Sequence, residues 1–346
     1  MKQPTPSRLG YRMPAEWEPQ AAIWLTWPHN ELTWPDGMLA EVQKAYVRII
    51  QALHTDQRVK LLVKDKDEAA HVRGELRAAD VFLDQVELFE IAAEDSWIRD
   101  YGPTFVTNRE SGQLAIIKWI FNAWGNKYED LLADNRIPLE LNKRLRLTIF
   151  EAGIVLEGGS IEVNGSGTVL TTEQCLLNAN RNPNLSRAAI EEYLQEYLGV
   201  SNILWLHEGI AGDDTDGHID DIARFVSSDT VICAFEDDPL DENYRLLKDN
   251  YERLVSFGFR VVKLPMPPRI ESGQDRLPAS YANFYIGNAV VVVPVFGSSN
   301  DIRALEIIGQ SFPSRRVVGV DATAMVHGLG TIHCCSQQEP RVKPQV

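Results

Sequence analysis

The amino-acid sequence predicts an α/β protein made of five repeats of about 60 residues, closed into a ring. Three observations carry this prediction. A helix followed by a strand keeps returning along the chain, a polar loop and a β-hairpin follow the strand, and one polar residue ahead of each hairpin recurs at nearly even spacing. Such a unit cannot bury its own apolar face, so repetition around an axis is how the chain builds a core.

The segment 21–27, Ala-Ala-Ile-Trp-Leu-Thr-Trp, reads as an apolar strand with no partner of its own. Leu39, Val42, Tyr46, Ile49 and Leu53 recur at three- and four-residue intervals and mark an amphipathic helix, with a strand over 59–63 after it. The hairpin of the second unit runs from 160–163 through Asn164-Gly165-Ser166-Gly167 to 168–171. Ile190, Leu194, Tyr197 and Leu198 then form a helix, opened by Ser186 and closed by Gly199, and the strand 203–206 follows. Hairpins at 223–226/230–235 and 284–286/289–293 repeat the pattern, as do helices on Tyr244, Leu247, Tyr251 and Leu254 and from about Asp301 to Phe312. Strands at 259–264 and 316–320 complete those units. The residues ahead of the hairpins, Trp97, Glu157, His218, Tyr281 and Cys334, lie 60, 61, 63 and 53 positions apart. Only 12 residues follow Cys334, too few for a full hairpin, so the strand at 21–27 is expected to pair there and close the ring as one domain over 1–346. The loops at 97–100, 157, 218–220 and 334 would then meet at one axial pocket.

Composition narrows the function. With 44% hydrophobic and 24% charged residues the chain is an ordinary globular protein, and its formal net charge of −15 disfavours nucleic acid and anionic lipid while attracting small cations. The longest apolar run, Ala289–Phe296, is interrupted by Pro294 and is far below the roughly 20 residues of a membrane span. The N-terminal stretch lacks an apolar signal core, so a cytoplasmic location with reduced thiols is expected. Of the four cysteines, Cys175 and Cys233 sit in apolar runs and read as packing residues, whereas Cys334 and Cys335 lie in a Gly- and His-flanked segment. No C-x-x-C pair supports a structural zinc site.

The four loops read Trp97-Ile98-Arg99-Asp100-Tyr101-Gly102-Pro103, Glu157-Gly158-Gly159, Asp213-Asp214-Thr215-Asp216-Gly217-His218-Ile219-Asp220 and His327-Gly328-Leu329-Gly330-Thr331-Ile332-His333-Cys334. From MPAEWEP near the start to IHCCSQQEP near the end, the chain resembles agmatine deiminases. These belong to the guanidine-modifying, or pentein, superfamily of five-bladed α/β propellers that also includes arginine and peptidyl-arginine deiminases. The resemblance implies Cys334 as nucleophile, His218 as general acid and base, and Asp100 with Asp220 as ligands of the guanidinium. Each role has a physical reason. A thiolate attacks where a thiol does not, two carboxylates take the planar fork of N–H donors pairwise, and one imidazole can protonate departing ammonia and then deprotonate water. His218 and Asp220, two apart at what reads as a strand entrance, are expected to face the same way. Glu157 either holds His218 or touches the guanidinium, and Trp97 offers a wall on which the cation stacks. Asp214, in a loop without Lys or Arg, is placed near the substrate ammonium. The stretch Gly328-Leu329-Gly330-Thr331 departs from the glycines and Asn common before Ile-His-Cys in that family, and Cys335 is an unusual neighbour for the nucleophile, read as packing.

Taken singly, these residues have duller readings. Asp100 after Arg99 would be a surface ion pair, Glu157 a turn residue, His218 a polar loop residue, and Trp97 and Cys334 core residues. Their recurrence at one phase of a repeat, each within its motif, decides for chemistry. A calcium loop at 213–217 fails because its first and twelfth ligands would be Gly212 and Ala223. A dinucleotide site at Gly328-Leu329-Gly330 has His333 where its third glycine belongs, and no Gly-Lys-Ser/Thr occurs. The expected activity is hydrolysis of agmatine to N-carbamoylputrescine and ammonia in polyamine (putrescine) synthesis. It needs no metal or organic cofactor, and its partner is a small cationic guanidine; a homo-oligomer is compatible with it. The rivals are a deiminase of peptide arginine or another guanidine, and a guanidine-binding protein without catalysis.

Overall fold

The computed structural model describes residues 4–342, and the outermost residues of the expected domain, 1–3 and 343–346, lie outside them. Five mixed sheets share one pattern: a strand pairs antiparallel with a middle strand, which pairs parallel with a third after a helical crossover. In the first blade Thr104–Asn108, Leu114–Ile120 and Thr148–Val155 follow this order, with Tyr11–Arg12 added at the inner edge. The second is Glu162–Val163, Thr168–Thr172 and Asn202–Leu206, the third Ala223–Phe225, Thr230–Phe235 and Arg260–Pro265, and the fourth Tyr285–Ile286, Val290–Val295 and Arg316–Asp321. In the fifth, Ser336–Pro340 pairs antiparallel with Gln20–Thr26, with Ser336 opposite Leu25 and Gln338 opposite Ile23, and Arg58–Val63 lies parallel beyond. The two ends of the chain therefore share one sheet. The fold is a five-bladed α/β propeller of the pentein kind.

Local sequence accounts for the units. The middle strands are buried on both faces, as Val290 to Val293 illustrate, because a crossover helix covers one side and the neighbouring blade the other. Met38–Leu53 buries Val42, Tyr46, Ile49, Ile50 and Leu53 as one stripe. Arg187–Leu198 is capped by the Ser186 side chain and stopped by Gly199 at φ +67°, and Ser299–Ser311 begins two residues earlier than the apolar spacing indicates because Ser298 and Asp301 form a capping box. The fifth blade also carries a helix, Lys66–Ala78, and a further parallel strand, Val86–Glu90, which the repeat pattern does not anticipate. No described helix is long and apolar enough to cross a membrane.

Three inner loops enter their hairpins through a single helical turn rather than directly: Ile98–Tyr101, Gly158–Ser160 and Ile219–Asp221. This corrects the expected strand entrance at His218 and Asp220. Alternation along a strand does not aim these two side chains; a tight turn at 219–221 does.

Candidate active site

The inner loops converge on a cavity of about 250 Å³ whose lining includes Trp97, Asp100, Trp124, Asp214, Gly330 and Cys334. His218, Asp220 and Glu157 form a buried layer outside that lining. Gly159 shows how closely the layer is assembled. A Cβ built there would lie 2.6 Å from His218 Nδ1, 2.9 Å from Asp100 Oδ1 and 3.0 Å from Asp220 Oδ2, so three site residues meet where only a glycine fits. Gly330 has the same role at the sulfur, where a Cβ would come within 2.6 Å of the Trp97 ring and 3.1 Å of Cys334 Cβ. Trp97 itself is backed by Trp34, with ring centroids 5.3 Å apart.

Each acid has a defined set of donors and a lone pair to spare. Asp100 accepts from the backbone N–H of Gly159 (2.9 Å) and from Trp124 Nε1 (2.9 Å). Trp124 reaches it from a left-handed stretch in which Ala123, Trp124 and Asn126 all have positive φ. Asp220 Oδ2 lies 2.7 Å from His333 Nδ1 and 3.9 Å from Cys334 Sγ, while Asp220 Oδ1 is buried with no partner. Glu157 accepts from Arg181 Nε (2.7 Å) through one oxygen; the other, and both ring nitrogens of His218, have no hydrogen-bond partner, although His218 Nδ1 lies 3.7 Å from Asp100 Oδ1. Glu157 does not line the cavity, and its carboxylate comes within 4.8 Å of the His218 ring with no hydrogen bond between them.

Burial sets the charge states. It pushes the Asp100 carboxyl well above the ordinary range, helped by Asp220 and Glu157, and does the same to Asp221 with help from Asp220 and Asp213. At Asp220 burial is outweighed by the His333 hydrogen bond and charge, so that carboxyl stays below its usual value. Burial lowers His218 to about 3, leaving a neutral imidazole able to accept a proton. The Cys334 thiol is raised well above the ordinary range by burial and then by Asp220, Asp221 and Asp100. Without a cation beside it, the sulfur keeps its proton.

Several participants carry no signal in the sequence motifs. In the fourth unit the residue at the repeat phase, Tyr281, points to Asp301 Oδ1 (2.5 Å) and not into the site. Two residues on, Asn283 donates to Cys334 Sγ (3.1 Å) and accepts from Thr331 Oγ1 (2.7 Å) and the His333 backbone N–H (2.9 Å). Around Asp214, Lys127 arrives from a distant loop, with Nζ 3.3 Å from Asp214 and 3.1 Å from Asp216, and Tyr128 donates to Asp214 (2.7 Å). The acidic loop thus has a cation at hand, contrary to the reading from its own residues. Cys335 is buried, as is Cys175. Two trios among the described residues have metal-ligand types within 4.8 Å of one another, Glu157/Cys175/His218 and Asp220/Asp221/Cys334. In the first, Arg181 already neutralises Glu157; the second belongs to the acid-lined site beneath the cavity.

Known proteins resemble the chain in sequence, and solved ones among them in architecture. A Legionella pneumophila (strain Paris) protein provisionally named agmatine deiminase is 41% identical over 346 residues, 97% of each chain. The solved agmatine deiminase of Enterococcus faecalis superposes with a TM-score of 0.90 at 34% identity over 99% of both chains. The C. jejuni agmatine deiminase solved with substrate bound gives 0.88 at 32% identity over 96% of this chain and 97% of that one. The model of the Porphyromonas-type peptidyl-arginine deiminases matches residues 12–340, and it is to this family of enzymes that the chain belongs.

Proposed function

We propose that the protein hydrolyses agmatine to N-carbamoylputrescine and ammonia through a covalent intermediate on Cys334. The observation that carries this reading is the pairing of a buried thiol with carboxylate oxygens left open to a further donor: Asp220 Oδ1 has no hydrogen-bond partner, and Asp100 accepts only from the neutral donors of Trp124 and Gly159. A guanidinium satisfies both. Its N–H groups lie between Asp100 and Asp220, its carbon faces Cys334, and its flat face rests on Trp97. Its charge offsets the acids that hold the thiol neutral, so binding and ionisation are coupled, and neutral His218 takes the sulfur's proton. Attack on the carbon gives a tetrahedral adduct. Return of that proton releases ammonia and leaves the S-amidino group; water, deprotonated by His218, then adds, and breaking the C–S bond gives the urea product and restores the thiol. Glu157 positions His218. Asp214 receives the substrate ammonium, in competition with Lys127.

Supporting agmatine over a peptide arginine is the small volume of the cavity, and over free arginine the acids Asp95, Asp130 and Asp214 along it, which repel a carboxylate and suit a terminal ammonium. We further propose that the chain acts as a single domain in the cytoplasm, feeding putrescine synthesis. Incubation of the purified protein with agmatine, arginine and a blocked arginyl peptide, with ammonia measured, tests the reading. Release from agmatine at least tenfold faster than from the others is expected. Equal release from arginine or from the peptide would transfer the proposal to that substrate, and none from any would leave a guanidine-binding protein.

A further inference from the structure

A second layer of buried charge lies beneath the cavity, and the mechanism above does not use it. Glu16 comes from the N-terminal segment, far from every site motif in sequence, yet it is 4% exposed. One of its oxygens accepts the backbone N–H of Ile286 (2.7 Å), and the other meets Arg224 Nη2 (3.0 Å), Arg99 Nη2 (3.5 Å) and His333 Nε2 (2.8 Å). The His333 ring, 1% exposed, therefore has a carboxylate oxygen on each nitrogen, because Nδ1 faces Asp220 at 2.7 Å. A neutral imidazole has one N–H and one lone pair, and a lone pair 2.8 Å from a carboxylate oxygen is repelled. Both contacts are attractive only if each nitrogen bears a proton or a carboxyl group does.

We propose that Glu16 is a positioning residue of the active centre: it holds His333 doubly protonated between two carboxylates, and so offsets the Asp220 charge beside Cys334, leaving the arriving guanidinium able to ionise the thiol. This rests on the assignment of Cys334 and Asp220 made above. The surroundings put the proton on the ring. At Glu16 burial is overcome by Arg224, His333 and Arg99, which hold the carboxyl far below its ordinary range, and Asp220 is held down by His333. Glu162 neutralises the far side of Arg224, Arg99 Nε donates to the His333 carbonyl, and Asn283 fixes the His333 backbone; Tyr285 and Arg315 also face Glu16, and His218 and Asp221 face Asp220. The oxygen of Asp220 that His333 binds is the one 3.9 Å from Cys334 Sγ. Loss of the ring's charge would take the hydrogen-bonded cation from that oxygen beside the forming thiolate.

The test is read first on the wild-type protein without turnover. In side-chain ¹⁵N–¹H spectra, with His333 assigned by its loss in His333→Gln, both ring nitrogens are expected to bear a proton at about pH 7.5, as carboxylate contacts at 2.7 and 2.8 Å require. A neutral, singly protonated ring at about pH 7.5 would overturn the proposal, whether or not agmatine is a substrate. The second reading uses Glu16→Gln, which keeps the shape and removes the charge. With one carboxylate gone, the alkaline limb of kcat should move down by about one pH unit or more while KM for agmatine stays within about threefold. Unchanged alkaline limbs, or a KM that rises while kcat holds, would also overturn it. If Glu16→Gln does not fold, the wild-type spectrum alone decides.

Discussion

At the scale of single residues, the reactivity of Cys334 depends on what stands beside it. Its surroundings keep the thiol protonated, through burial first and the neighbouring acids second, so the nucleophile is produced only when a cation arrives. Adjacent Cys335 shares the burial, and its thiol is likewise raised, but it is packed toward Tyr46 on the other side of the chain. Cys334→Ser should therefore abolish ammonia release while leaving agmatine affinity within about tenfold, measured by calorimetry, since the carboxylates supply most of the guanidinium binding. Cys335→Ser should retain turnover within about threefold. Loss of activity in both variants alike would mean that the sulfur of residue 334 has no special role. Asp214 gives a smaller expectation. Lys127 and Tyr128 already engage its carboxylate, and its side chain is 34% exposed, so Asp214→Asn should raise the agmatine KM by roughly threefold with kcat nearly unchanged. A fall in kcat instead would place Asp214 in the chemical step.

At the scale of elements, one-turn helices at the inner loops decide which side chains meet. The turns at 158–160 and 219–221 are packed so closely that a methyl group at Gly159 has no room beside His218, Asp100 and Asp220. Gly159→Ala should reduce kcat/KM by about a hundredfold or more while thermal unfolding shifts by only a few degrees, because the crowded atoms are site side chains and not the blade's core. A variant with wild-type kinetics would show that these three groups need not be held so tightly. The same turns explain what was legible in the sequence. Helices, middle strands and the repeat phase of Trp97, Glu157, His218 and Cys334 follow from apolar spacing and loop composition, which are local properties. Asn283, Trp124, Arg181, Lys127 and Glu16 reach the site through tertiary approach. Asn283 was hidden because the fourth unit breaks the phase, with Tyr281 at the expected position turned toward Asp301. Trp124 was hidden by the left-handed backbone that carries it, which no hydrophobic period announces. The second helix and outer strand of the fifth blade, 66–78 and 86–90, have the patterns of ordinary elements but fall outside the repeat.

At the scale of the whole molecule, ring closure unites the two ends of the sequence with the chemistry between them. Glu339, near the C-terminus, accepts from Trp24 Nε1 (2.8 Å) and Lys60 Nζ (2.7 Å), fastening Ser336–Pro340 to Gln20–Thr26 two residues after Cys334. Arg99, within the first inner loop, donates to Gln337 and Gln338 (2.7 Å each) and so ties the segment that carries Asp100 to the closing strand. The net charge of −15 draws small cations toward a pocket whose own acids are largely buried, so the same sign of field acts at long range and at contact. All of this has a purpose only if a guanidine carbon becomes bonded to the sulfur of Cys334. The most direct measurement is to mix the wild-type enzyme with agmatine, quench in acid within milliseconds, digest, and locate any added mass by tandem mass spectrometry. The account predicts a peptide bearing agmatine less one ammonia on Cys334, absent in Cys334→Ser. Ammonia release with no such adduct at any quench time, or an adduct carried by Cys335, would contradict it.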